Sequence, residues 1–213
     1  MVANPKWNDR YEEMKPQDNR TNDQSEEELR GIPMTQEAFE LALTVESPYH
    51  YEWFDGMIYN MAPPSPEHSI IASRVDRLLW DQIGDDGPCT VYREQSVLVP
   101  DRPSVTPDVV LTCDHADRDK DKRLKPFKVQ TPLIIIEILS PSTRSFDREE
   151  KFDRYKCCPS LEAYIMIDQY QRRVEVYQRC RDWQLELYRE DQIIQFDQLD
   201  LELPLDDIYK GVL

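Results

Sequence analysis

Apolar and polar positions change period several times along the chain. Residues 1–30 hold almost no aliphatic side chains ("NRTNDQSEEELRG" is typical), so a disordered or loosely packed acidic tail is expected there, ahead of one domain over 31–213. From 34, "MTQEAFELAL" reads as a short helix, with Thr35 as its cap and Met34 and Phe39 at the spacing of a hydrophobic staple. "YEWFDGMIYNM", 51–61, is two strand-like runs about Asp55–Gly56, a hairpin signal. In "SPEHSIIASRVDRLLWDQIG", Ser65 is placed to cap a helix with Pro66 at its first position. Ile71, Val75, Leu78, Leu79 and Ile83 then recur at helical spacing, and Gly84 and Gly87 end the run.

Strand-like runs follow at "CTVYREQSVLV" and "DVVLTC", then a loop over 114–131, then "LIIIEI" at 133–138. A helix is expected from about 148 to 157, a strand at "AYIMID", and a hairpin from "RRVEVYQ" and "WQLELYR". A polar stretch and "LDLELPLDDIYKGVL" close the chain. The order predicts a mixed α/β fold with one sheet covered by helices. The continuous apolar run 133–138 belongs at its centre, buried on both faces.

The formal charge of −16 argues against broad nonspecific affinity for nucleic acid. The acid is concentrated at the two ends, however: residues 51–180 carry 22 acidic and 18 basic side chains, so the total does not decide what the middle binds. The loop "HADRDKDKRLKPFK" has six Lys or Arg against three Asp and could either meet phosphates or lie solvated. The five cysteines are odd in number and form no CxxC pair, and the start shows no signal peptide. No apolar run reaches membrane-spanning length. Reduced thiols and a cytoplasmic location are expected. A zinc site from Cys113, His115, Cys157 and Cys158 would have spacing unlike the common patterns.

One carboxylate, Glu137, interrupts the apolar run 133–138. A buried ionised Glu costs several kcal/mol unless it is paired or holds a metal. Asp108, after Pro107, starts another apolar strand. Two acids at strand ends of one sheet can converge on Mg²⁺ or Mn²⁺, which needs only one or two carboxylates when water and substrate phosphates supply the rest. Lys151 is the candidate cation for charge developing on a phosphate. Asp147 and Glu150 have capping-box spacing, which would put Asp147 at the helix N-cap and Lys151 one turn in. Lys156 lies about 7.5 Å further along the axis. A structural alternative pairs Glu137 with Arg144 or Arg148. No G-x-S-x-G elbow, no His after His115 and no phosphate-cradling glycine loop is present, which disfavours a serine hydrolase and a nucleotide-binding protein.

"PD" at 107–108, "EILSPST" at 137–143, then Asp147, Lys151 and "AYIMID" after Tyr155 resemble the Uma-type restriction endonuclease family, of the PD-(D/E)xK nuclease superfamily. "MTQEAFE", "YEWFDGMIYNM" and "SPEH" extend the likeness, which covers roughly residues 33–210. The resemblance implies a restriction-endonuclease-like core and a metal-dependent endonuclease that hydrolyses DNA. Asp108 and Glu137 would be metal ligands, and Lys151 would be catalytic. Glu52 matches the family's acidic position, and His68, on the core-facing side of its helix, joins it as a further candidate. The superfamily signature has Lys two residues after the acid, where this chain has Leu139; Lys151 on the next helix takes that part. Cutting both strands implies a homodimer. The alternative of another class is a catalytically silent module of the same fold that binds a protein or DNA partner.

Overall fold

The computed structural model describes residues 32–42, 50–54, 56–61, 63–140, 144–196 and 199–213. Its strands are β1 (Ile32–Pro33), β2 (His50–Phe54), β3 (Met57–Met61), β4 (Thr90–Arg93), β5 (Val109–Thr112), β6 (Ile134–Leu139), β7 (Ala163–Asp168), β8 (Arg173–Gln178), β9 (Leu185–Arg189), β10 (Ile193–Phe196) and β11 (Leu201–Pro204). Its α-helices are α1 (Gln36–Ala42), α2 (Pro66–Ile83), α3 (His115–Arg118), α4 (Arg144–Phe146), α5 (Phe152–Tyr155) and α6 (Leu205–Tyr209). A π-helical turn, Asp147–Lys151, joins α4 to α5.

Strands β4 to β9 form one mixed sheet in sequence order, parallel between β6 and β7 and antiparallel elsewhere. Helices flank it, as the pattern predicted. The parallel pair is linked through the helical segment 144–155, the connection that parallel strands require. Strand β6 is buried along its whole length. Ile134, Ile136 and Ile138 enter one core, with α2; Ile135 and Leu139 enter the other, with Phe152, Tyr155 and Tyr164. Glu137 shares the second face, because side chains alternate along a strand.

The local signals of α1 and α2 hold. Thr35 Oγ1 accepts from Ala38 N at 3.3 Å, and Ser65 Oγ accepts from His68 N at 3.1 Å. Ile71, Ala72, Val75 and Leu79 are the buried stripe of α2. The chain turns between β2 and β3 at Gly56, whose φ of +81° favours glycine. Asp55, the tail 1–30 and residues 141–143 lie outside the described residues.

Three expectations need correction, and the C-terminal stretch adds elements to which the pattern gave no assignment. Arg144–Phe146 is already helical, and Arg144 N–H donates to Ser140 O at 3.1 Å, so Asp147 lies inside the helical segment and is no N-cap. Its carboxylate faces Lys151 instead. The run 89–99 is a strand only at 90–93, because Glu94 takes φ +49° and turns the chain out of the sheet. The terminal stretch, left unassigned by the pattern, is structured. Strands β10 and β11 pair, and with α6 they carry Ile194, Phe196, Leu203, Leu205, Ile208 and Tyr209 onto the α2 side of the core.

The third correction concerns the thiols. Cys89 and Cys113 form a disulfide, which overturns the expectation of reduced cysteines throughout. The antiparallel register explains the meeting: Thr90 faces Thr112, so the next residues outward face each other. Cys157, Cys158 and Cys180 are free. Among the described residues no helix is long and apolar enough to cross a membrane.

Candidate active site

The register of β5 and β6 builds the centre of the site. Val109 faces Ile136, so Asp108, the residue before β5, lies beside the Glu137 end of β6. Asp108 is fixed from two sides. Ile138 N–H donates to its Oδ2 at 2.6 Å, and His68 Nε2 lies 3.2 Å from its Oδ1. His68 can reach it because Ser65 caps the first turn of α2 next to the β7 end, where Ser65 Oγ donates to Gln169 Oε1 at 2.6 Å.

Lys151 Nζ stands among three carboxylates: 3.1 Å from Asp147 Oδ1, 3.2 Å from Glu137 Oε1 and 3.6 Å from Glu52 Oε1. All four side chains are buried or nearly so. Tyr155 OH donates to the same Glu137 Oε1 at 3.1 Å, and Tyr164 OH donates to Asp147 O at 2.9 Å. Asp147, Lys151 and Tyr155 are spaced by four. Residues four apart share one helix face, so all three point toward the sheet; the first step runs through the π turn.

Burial pushes the Glu137 carboxyl well above the usual carboxylate range; Asp147, Asp108 and Glu52 push it the same way, and Lys151 opposes them. For Lys151 burial acts downward, yet Asp147, Glu137 and Glu52 outweigh it and hold the ammonium well above its ordinary value. Burial raises both Tyr155 and Tyr164 as well, so they stay neutral and donate. The site therefore carries a firmly charged cation inside a cluster of acids.

All five residues singled out from sequence fall into two linked groups: His68 with Asp108, and Glu52 with Glu137 and Lys151. The structural alternative for Glu137 is not what forms, since Arg144 pairs with Asp168 and Arg148 with Glu175. Leu139, at the signature's lysine position, is buried in the core. Two members were missed: Asp147, read as a cap, and Tyr155, whose hydroxyl no pattern singled out. The 147–151–155 spacing was the available signal.

Residues 36–206 match a family model, Uma2, described as "Putative restriction endonuclease". The chain belongs to the Uma2 family. It is 30% identical over 166 residues to the uncharacterized protein slr1290 of Synechocystis sp., covering 76% of this chain and 84% of that protein. A second Synechocystis protein, the uncharacterized sll1609, is 33% identical over 149 residues, covering 68% of this chain and 82% of that one. The fold is also similar to the crystal structure of "a putative nuclease belonging to DUF820" from Anabaena variabilis, with a TM-score of 0.65 at 20% identity, covering 85% of this chain and all of that one.

The donors of this Uma2 site are hard carboxylate oxygens, the type that Mg²⁺ and Mn²⁺ take. Asp147 Oδ1 is buried and, although close to the ammonium, makes no aligned hydrogen bond. Among the described residues, no three His, Cys, Asp or Glu side chains are gathered to cage an ion. An ion on one or two of these carboxylates would need water and substrate oxygens for its remaining ligands. The zinc site considered from the cysteines does not form either, since Cys113 is bonded to Cys89.

Proposed function

We propose that this chain is an endonuclease that hydrolyses DNA phosphodiester bonds with Mg²⁺ or Mn²⁺, acting as a homodimer so that two sites address two strands. The observation that carries the reading is Asp108 bonded to the backbone next to Glu137, through Ile138 N–H at 2.6 Å, with Lys151 Nζ 3.2 Å from Glu137. Asp108 and Glu137 would hold the ion. When bound, it supplies Lewis acidity, which lowers the pKa of water and offsets phosphate charge. His68 and the Ile138 N–H hold the Asp108 carboxylate in one orientation. Lys151 and Tyr155 do the same for Glu137 Oε1. The Lys151 ammonium orients the attacking water and faces the negative charge that develops as the in-line P–O bond breaks. Glu52 and Asp147 keep that ammonium charged and in place.

The test is isothermal titration with Mn²⁺, with and without DNA, for wild type, Asp108→Ala and Glu137→Ala, beside a plasmid cleavage assay. Ion binding and cleavage present in the wild type and lost in both variants, with the fold intact by circular dichroism, is the expected result. A wild type that holds no ion even with DNA present, and cuts nothing, would leave the silent binding module as the reading.

A further inference from the structure

We propose that Arg172, Arg173 and Arg189 form a binding site for a backbone phosphodiester, set apart from the acidic centre. The identity of the ligand rests on the nuclease reading above; the site itself rests on the observations that follow. A cavity of about 330 Å³ is lined by Gln171, Arg172, Arg173, Arg189 and Glu190. Arg173 and Arg189 are register partners on β8 and β9, directly opposite each other. Like charges in that relation repel and destabilise a sheet unless an anion comes between them.

The protein's own anions leave this charge incompletely matched. Arg172 pairs with Asp206. Arg173 has one bond, to Glu175 Oε1 at 2.8 Å, and shares that oxygen with Arg148. Arg189 is exposed and makes no ion pair among the described residues. The Nε atoms of Arg172 and Arg173 are buried and have no hydrogen-bond partner. A guanidinium offers five N–H donors in a planar fork that matches phosphate oxygens. Glu190, also lining the cavity, opposes an anion and sets a limit on affinity.

The position suits an extended polyanion. Glu137, Met166, Glu175 and Leu187 form one row across the sheet. Arg173 and Arg189 lie two residues from Glu175 and Leu187, toward the end of the sheet where β6 and β7 finish, and on the same face. Strand spacing puts them roughly 12 and 16 Å from Glu137. At about 3.4 Å of axis per nucleotide, that is about four nucleotides from a phosphate at the acidic pair. A strand whose scissile phosphate met Asp108 and Glu137 would pass this cavity, where a neutralising contact offsets the repulsion of an acidic protein.

The experiment is fluorescence anisotropy of a labelled, cleavage-resistant phosphorothioate duplex in Mg²⁺ buffer across a salt series. Arg189→Ala is expected to weaken binding several-fold and to reduce the slope of log K against log salt by about 0.9. Glu190→Gln is expected to tighten it. Arg181→Ala, the same charge change at the opposite end of β8, is the control and is expected to change it less. Circular dichroism establishes that each variant is folded. In parallel, the arginine Nε–H resonances are followed by NMR during titration with inorganic phosphate.

Duplex affinity and salt slope unchanged in Arg189→Ala would overturn the site while leaving nuclease activity standing. Phosphate shifts at Arg173 with no effect on duplex binding would overturn its assignment to nucleic acid. A duplex bound through Arg189, with its unmodified counterpart left uncut in Mg²⁺ and in Mn²⁺, would keep the site and reject the nuclease reading. A wild type that binds neither probe would reject the site.

Discussion

Replacing Lys151 by Met keeps most of the side-chain volume and removes the charge. The ammonium lies 3.1 to 3.6 Å from three carboxylates. At an effective dielectric near 20, each contact carries about 5 kcal/mol of gross attraction. The cost of burying the ammonium offsets much of that sum, and the measured cost of removing one partner from a buried pair is about 3–5 kcal/mol. Glu137 is already pushed upward by its burial, so it takes up a proton in the variant and the loss falls near the lower limit, about 3 kcal/mol. For a chain of this size that lowers Tm by roughly 6–12 °C. Urea unfolding followed by circular dichroism reads the loss. Mg²⁺ then gives a second readout that needs no catalysis. An ion held by Asp108 and Glu137 would stabilise the folded chain by about 2.7 kcal/mol at a hundred times its Kd. A loss under about 1 kcal/mol with an unchanged m value would refute the description of these carboxylates as buried anions held by one lysine.

Glu175→Gln tests the arginine network beside the site. Burial acts upward on Glu175, but Arg148 and Arg173 outweigh it and hold it below its ordinary value of 4.5. Its contribution is therefore fully present above that value and lost as pH falls through the lower, folded one. The variant should cost about 2 kcal/mol at pH 7 and progressively less in acid, since its arginines are partly exposed and resolvate; equal losses at pH 7 and pH 3 in urea titrations would contradict this. Asp117→Asn should cost about 1–3 kcal/mol, because the buried carboxylate accepts from Gln130 N at 2.7 Å, Thr131 N at 3.0 Å and two threonine hydroxyls, and an amide must turn a donor toward one of them. Faster hydrogen exchange at Gln130 or Thr131 is the check. Tyr155→Phe should cost about 1–3 kcal/mol by removing one of two donors to Glu137 Oε1, and a thermal melt indistinguishable from wild type would count against that bond.

Local signals were legible wherever one residue type has one physical use. Ser65 and Pro66 fixed the start of α2, and the apolar stripe of that helix lies where its period put it. The run 133–138 could be assigned to the sheet centre because a strand buried on both faces has no alternation to show. What stayed hidden depends on partners distant in sequence. Cys89 and Cys113 meet only through the β4–β5 register. The strands β10 and β11 look polar because alternate residues face solvent, and their inward residues become core only once α2 is laid against them. The basic loop gave two readings because its charge says nothing of Asp117, which is fully buried and ties the loop to Gln130 and Thr131.

The acidic centre shows why such a site can be found from sequence without being fully described. Glu137 was visible because it breaks a rule: a charge in a run of isoleucines has a cost that ordinary folding does not repay. Asp147 was misread because it obeys one. An acid before a helix normally caps it, and capping-box spacing carries no sign of a π turn. What settles which way the acid points is its spacing from the groups it meets. Residues four apart share one helix face, so once Lys151 points at the sheet Asp147 and Tyr155 do as well. Lys151 then lies 3.1 Å from Asp147 and 3.2 Å from Glu137, and Tyr155 donates to the same Glu137 oxygen. An acid four residues before a buried lysine therefore has a use that competes with capping: it can pair with that lysine inside the protein.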